Sequence, residues 1–290
     1  MKPIDILLYS AVVFGWSTSW LPLKWQAVDS VSPEVSVMWR FILAASVMTL
    51  FCLVSGRSLK LPGRAMLMAG GMGVCIFSTN FMLFYYGAYG LPSGLLAVIF
   101  ATVSLISLFY SRLVLGTPLT TLSVFAALIG FSGVALMYWP EIRGGQAALV
   151  SLGFCIAGTL LFSTGSIISG ASQRAGFSVV ATSTWGMWFG AAWMLVLSLV
   201  RGKTLGFELT WQYMGGIAWL AIFSSVIAFA AYLTLLGRIG PGRAGYATVL
   251  FPPFALLIST FVEGYQWTWM AFVGLAMVLG GVFLINYRRG

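Results

Sequence analysis

The sequence predicts an all-α integral membrane protein of ten transmembrane helices, arranged as two inverted five-helix repeats. Three observations carry this. Of 290 residues, 60% are hydrophobic and only 7% are charged, too few for the charged shell of a soluble domain. The charges stand as short punctuation between long apolar runs, and the two halves of the chain match each other at a nearly constant offset. The 34 glycines agree, because small residues let helices approach closely in lipid, where apolar burial does not drive association.

Composition also excludes. A net charge of +9 suggests nucleic acid in a soluble protein, but these basic residues form no patch, so no nucleic-acid partner is expected. Cys52, Cys75 and Cys155 lie in apolar runs without metal or redox spacing and read as small packing residues. No histidine is present, which removes the commonest general base and the commonest metal ligand; no cofactor is expected. An intramembrane enzyme would then need a Ser-Lys dyad, and no lysine lies inside a span, so no enzymatic activity is expected either. The first apolar run ends in Pro22-Leu23-Lys24 without a small-residue cleavage site and reads as a retained span, not a signal peptide.

Uncharged stretches mark the spans in order. They run over 6–23, 65–111, 113–140, 144–173, 175–200, 209–237, 244–262 and 264–287. The 65–111 stretch is 47 residues, too long for one crossing of a ~30 Å hydrocarbon layer, and Gly87-Ala88-Tyr89-Gly90-Leu91-Pro92 supplies a turn in its middle. It is therefore two spans. A further span runs from about Pro33 to Ser55 with Arg40 inside it, giving ten.

Orientation follows from Lys and Arg. With a cytoplasmic N-terminus, ten basic residues fall inside (Lys2, Arg57, Lys60, Arg64, Arg112, Arg174, Arg238, Arg243, Arg288, Arg289) against four outside (Lys24, Arg143, Arg201, Lys203). Both termini are then cytoplasmic. Trp25, Trp139, Trp211, Trp267 and Trp269 all fall at outer span ends, as an interfacial belt should.

At an offset of 146, Ser17-Thr18 falls on Ser163-Thr164, Trp39 on Trp185, Ile76-Phe77-Ser78 on Ile222-Phe223-Ser224 and Tyr86 on Tyr232. At 148, Gly94 falls on Gly242, Gly116 on Gly264 and Gly133-Val134 on Gly281-Val282. The copies are expected at 1–143 and 144–290. Each holds an odd number of spans, so the second enters the membrane from the opposite side; such inverted repeats rock about a midplane site in secondary transporters.

Gly15-Trp16 in the first span, Arg40 in the second, and the proline-broken ninth span followed by Glu263-Gly264 resemble the EamA branch of the drug/metabolite transporter superfamily over essentially the whole chain. More narrowly, the chain is similar to the YddG-type bacterial exporters of aromatic amino acids. The resemblance implies ten helices around a central cavity, the fifth and tenth at the periphery, an inner-membrane location and export.

Candidate site residues follow. Pro252 and Pro253 lack N–H groups, which frees the carbonyls of Thr248 and Val249. These either meet a ligand or water in a cavity, or the pair is a kink that shapes packing. In the third span Gly73, Phe77, Asn80, Phe84 and Gly87 share one face, with Ser78, Phe81 and Tyr85 beside it. Asn80 either joins two helices by a hydrogen bond or lines the pathway. Trp16 and Trp185 each lie near hydroxyl residues, Ser17 among them, so that apolar surface and hydrogen-bonding groups converge as a small-molecule cavity requires, and Tyr246, shortly before the freed carbonyls, is a similar candidate.

Arg40 lies about seven residues into its span, ~10 Å deep. It snorkels, is anchored by carbonyls or by Glu263, or binds a substrate carboxylate; Glu34 is too far along the helix to be its i, i+4 partner. No carboxylate is central, and Glu263 alone stands where a proton could be traded. The expected function is therefore export of aromatic or apolar amino acids and related metabolites by alternating access, without proton coupling. A proton-coupled, broad-specificity drug or metabolite exporter is the alternative, a passive channel the distant one. Ala126, Gly130 and Gly133 in the fifth span either support a homodimer or pack within a monomer.

Overall fold

The computed structural model describes residues 2–287 apart from 28–29, 104, 107–108, 110–111, 114–115, 117–118, 144, 233, 236–237 and 239–246; side chains 142, 143, 248 and 285–287 are also outside the described set. The ten spans are all helical. α1 is Pro3–Ser17 continued, after a turn at Thr18-Ser19, by Trp20–Trp25; α2 is Pro33–Val54; α3 is Gly63–Cys75 continued by Thr79–Ala88; α4 opens with Ser93–Ala101; α5 is Thr121–Arg143. The second copy holds α6 (Gln146–Arg174), α7 (Val179–Val200), α8 (Trp211–Ala218 running into a π-helical segment, Trp219–Ile227), α9 (Ala247–Glu263) and α10 (Trp269–Tyr287). Among the described residues seven helices are long and apolar enough to cross a membrane, and α9 and α10 supply two shorter apolar ones.

Local chemistry sets the ends. Proline occupies the first turn of α1 and α2, where its missing N–H costs nothing. The Ser178 hydroxyl accepts the Ala181 N–H to cap α7, and Thr210 accepts that of Tyr213 to cap α8. Gly56, Gly176 and Gly202 take positive φ just past α2, α6 and α7, and the next N–H in each case reaches back five residues, to Cys52, Ser172 and Ser198. The matched glycines Gly116 and Gly264 both adopt left-handed backbone, φ 68° and 71°.

The two copies interleave and do not form separate lobes. α3 packs on α6 and α7, and α8 makes the mirrored contacts with α1 and α2; α2 meets α7, α4 meets α9, and α5 meets α10 most extensively of all. The packing units therefore draw helices from both copies. Small residues explain the choice of partners: a Cβ on Gly73 would come within 2.8 Å of the Gly186 carbonyl, and one on Gly281 within 3.0 Å of the Gly130 nitrogen. The Ala126, Gly130 and Gly133 stripe is thus occupied by α10 of the same chain and is not left for a dimer.

Among the described residues three ion pairs cross between the copies: Asp5 with Arg238, Lys24 with Glu263, and Glu34 with Arg201. Each joins two residues that the charge count assigns to the same side of the membrane. The pairs therefore tie together span ends that share a face.

Candidate functional site

The centre of the bundle is aromatic. Gly15 admits α1 to within contact of α8, since a Cβ there would lie 2.7 Å from that of Ala228. One residue on, half-buried Trp16 rests against Tyr232 at 5.1 Å and Phe251 at 6.2 Å between centroids. Trp20, a helical turn later, is 6% exposed and lies 5.3 Å from Phe84, 5.5 Å from Phe100 and stacked on Phe251. Phe162 closes the group 4.7 Å from Phe100. Rings from α1, α3, α4, α6 and α9 thus form one cluster drawn from both copies.

Polar atoms in the same helices make no hydrogen bond with the protein. Among the described residues these include Trp20 Nε1, both side-chain atoms of Asn80, Gln26 Nε2, and the hydroxyls of Ser163, Ser172 and Ser259, all buried. A buried donor or acceptor without a partner costs ~1–3 kcal/mol, so several in one helical bundle are a considerable load. Asn80 does not join helices through its amide, which removes the first of its two expected roles.

Ser17 meets the proline pair, through which α9 runs as one helix. Its hydroxyl donates to Val13 O at 2.6 Å and reaches the Phe251 carbonyl, immediately before Pro252 and Pro253, at 3.3 Å. Both prolines lie inside α9. Thr248 sits in the same helix with its side chain outside the described residues, and Tyr246 lies wholly outside them.

Beside the cluster, α3 presents Phe81 and Tyr85 to Arg40. The guanidinium is 1% exposed, with its carbon 4.0 Å from the Phe81 ring centroid and 5.2 Å from that of Phe41. Its Nε and Nη2 donate to Ser225 Oγ at 3.3 and 3.1 Å. The Tyr85 hydroxyl, near enough to Arg40 to interact electrostatically, donates to Gln26 Oε1 at 2.6 Å. Arg40 therefore neither snorkels nor pairs with Glu263.

Other expected site residues have structural duties. Ser78 donates to Gly73 O and Val74 O, at 2.7 and 2.9 Å, and satisfies carbonyls where α3 breaks. Trp185 stands apart from the central cluster, its indole N–H donating to Leu59 O in the α2–α3 loop at 2.9 Å. Glu263 accepts the Ser93 N–H at 3.0 Å and the Ser93 hydroxyl, with Lys24 Nζ at 3.5 Å, so it binds α9 to α4 and α1. Glu34 accepts from Arg201 and from the Tyr86 hydroxyl.

A cleft of about 380 Å³ lies at that end of α2, lined by Ser30, Ser32, Tyr86, Lys203 and Thr204 among others. It is not at the aromatic centre. Next to it Glu208, in the α7–α8 loop, accepts the Ser30 and Thr210 hydroxyls, which hold its carboxyl below the usual range.

Trp20, Gln26 and Ser225 were not singled out in the sequence. Trp20 carried a signal, standing four residues after Trp16 on the same helical face. Ser225 adjoins the repeated Ile222-Phe223-Ser224, but only the π-helical turn of α8 brings it to Arg40.

Two interleaved five-helix copies around an aromatic centre, in a chain with the spans of a polytopic protein, define a membrane transporter and not an enzyme. The chain belongs to the EamA-like transporter family, which it matches twice, over residues 3–139 and 149–287. It is 27% identical to the uncharacterized inner membrane transporter YedA of Escherichia coli K12, covering 96% of this chain and 89% of that one. It is 25% identical to the uncharacterized transporter YyaM of Bacillus subtilis (96% and 92%) and 23% to the protein PecM of Dickeya dadantii (99% and 93%). A solved crystal structure shares the fold at a TM-score of 0.69 and 16% identity, covering 100% of this chain and 98% of that one.

Proposed function

We propose that this protein is an inner-membrane carrier that exports aromatic and other apolar amino acids and related small metabolites by alternating access. The observation that carries the reading is the central cluster of Trp16, Trp20, Phe84, Phe100, Phe162 and Phe251, built by both copies and bordered by the unpartnered Trp20 indole and Asn80 amide. Apolar ring surface with a few convergent polar groups is what an amphipathic small molecule needs. The resemblance to YddG-type exporters read from the sequence belongs to this proposal, and the relative YedA is named an uncharacterized inner membrane transporter.

The candidate contacts are Trp16, Ser17, Trp20, Asn80, Phe81 and Tyr85, with Tyr246 and the Thr248 carbonyl proposed from the sequence alone. The copies span 1–143 and 144–290, and the ten-to-four bias of basic residues puts both termini in the cytoplasm. On that orientation Lys24–Glu263 and Glu34–Arg201 close the outer side, and Asp5–Arg238 the inner. Alternating access requires these sets to open in turn.

A proton-coupled drug exporter is the second reading, and Glu263 is its only candidate acid. Its carboxylate already has Lys24 and two donors from Ser93, which favours an anchoring role. The test is counterflow with the reconstituted protein, preloaded with each standard amino acid in turn. Saturable exchange of phenylalanine, tyrosine or tryptophan is expected; unitary conductance, or no exchange of any amino acid, overturns the reading.

A further inference from the structure

Among the described residues Arg40 is a buried cation with no carboxylate paired to it. Among the described residues every ion-paired carboxylate is engaged elsewhere: Asp5 with Arg238, Glu34 with Arg201, and Glu263 with Lys24. Glu208 is bound to hydroxyls in its loop, and Glu141 is at the far end of α5. What surrounds the guanidinium is neutral: Ser225, the faces of Phe81 and Phe41, and Tyr85. Nη1 has no hydrogen-bond partner among the described residues. Aromatic faces return ~0.5–2 kcal/mol to a cation, whereas withdrawing one from water costs several kcal/mol even after relaxation.

The fold does not require a cation there. At the repeat offset of 146 the counterpart of Arg40 is Gly186, and the Phe77 ring fills its place, 2.9 Å from where a Cβ would stand. The second copy therefore builds the same helix junction from apolar groups. Both copies interrupt the facing span over matched stretches, at the turn of residues 76–78 in α3 and within the π-helical Trp219–Ile227 of α8, which contains residues 222–224. Only in α8 does the resulting π-helical turn present a hydroxyl to a guanidinium, and π-helical turns mark functional sites.

Phe81 lies one turn from Phe84 of the central cluster, and the Tyr85–Gln26 hydrogen bond ties this stretch of α3 to the segment of α1 that carries Trp20. Arg40 is thus joined to the ring site by one helical turn. A planar guanidinium fork matches a carboxylate in shape and charge, and it repels a cationic solute.

We propose that Arg40 is the anchor for the carboxylate of the transported solute, with Nη1 as the donor, and that the carrier selects carboxylate-bearing amphipaths over cationic ones. This rests on the amino-acid reading above and adds the charge of the substrate to it.

The experiment is phenylalanine counterflow in proteoliposomes, competed by 3-phenylpropionate, which keeps the ring and the carboxylate, and by phenethylamine, which keeps the ring and the amine. Wild type should be inhibited at roughly tenfold or more lower concentration by 3-phenylpropionate than by phenethylamine, as loss of one charge-assisted contact implies. Arg40→Gln should bring the two inhibitors to within about threefold of each other, and Arg40→Lys should fall between. Equal inhibition of wild type overturns the assignment without any variant. A folded Arg40→Gln that keeps the wild-type ratio overturns it too. Absence of phenylalanine counterflow in wild type overturns the amino-acid reading itself, and the assignment with it.

Discussion

Trp39 and Trp185 occupy matched positions in the two copies, and their indoles do the same thing on opposite sides of the molecule. Trp39 Nε1 donates to Gly206 O in the α7–α8 loop at 3.1 Å; Trp185 Nε1 donates to Leu59 O in the α2–α3 loop at 2.9 Å. Each tryptophan, near the start of its helix, holds the loop that leaves its partner helix. α2 and α7 must therefore run antiparallel, which is the inversion expected from an odd number of spans per copy.

The same bond predicts what Trp185→Phe does. Removing the indole N–H leaves the ring in place and frees one loop carbonyl, costing ~1 kcal/mol of stability. Apparent melting temperature should fall by a few degrees, while half-saturation for counterflow stays within about twofold of wild type. A tenfold rise in half-saturation would return Trp185 to the pathway.

Asn80→Leu should separate stability from transport. The amide is fully buried with neither atom bonded, so an apolar side chain of similar volume relieves a desolvation penalty of ~1–3 kcal/mol. The variant should melt several degrees above wild type and lose most counterflow, the trade expected of a polar group kept for a ligand. A more stable variant with full transport would remove Asn80 from the site.

Glu263→Gln weakens the tie between α9 and the ends of α1 and α4. Expression or melting temperature should decline, but transport by the folded fraction should remain and should not follow an imposed pH gradient. Transport that tracks the gradient in wild type and disappears in the variant would establish proton coupling instead.

Gly133→Leu should break the contact of α5 with α10. A Cβ there would already stand 2.8 Å from that of Met277, and α10 has no room to retreat along so long an interface. Overpacking of ~1–3 kcal/mol or more should appear as lost monodispersity in size-exclusion chromatography. A well-behaved variant shifted from dimer to monomer would show that the stripe faces a second copy.

The fold was largely legible because lipid makes it so. Backbone groups in hydrocarbon must bond within their own segment, so run length and charge position mark the helices directly. The site was legible only in part. Trp16, Ser17 and the Pro252-Pro253 pair were visible as unusual residues, and Trp16 and Ser17 do meet Phe251, the residue before that pair. Trp20 offered only its spacing of four from Trp16, and its importance lies in rings contributed by residues 84, 100 and 251. Ser78 and Trp185 misled for the converse reason, since their donors are satisfied by carbonyls whose proximity no spacing rule reveals.

The sequence by itself determined the ten crossings, their grouping into two matched copies, and the scarcity of buried acid, because length, hydropathy and charge act locally along each helix. The tertiary structure alone decided that the copies interleave, that the α5 stripe faces α10, and that Arg40 is enclosed by neutral groups. Those facts depend on which helix faces come together across gaps of more than a hundred residues, where packing of small side chains and the pairing of scarce charges choose among arrangements that hydropathy cannot distinguish.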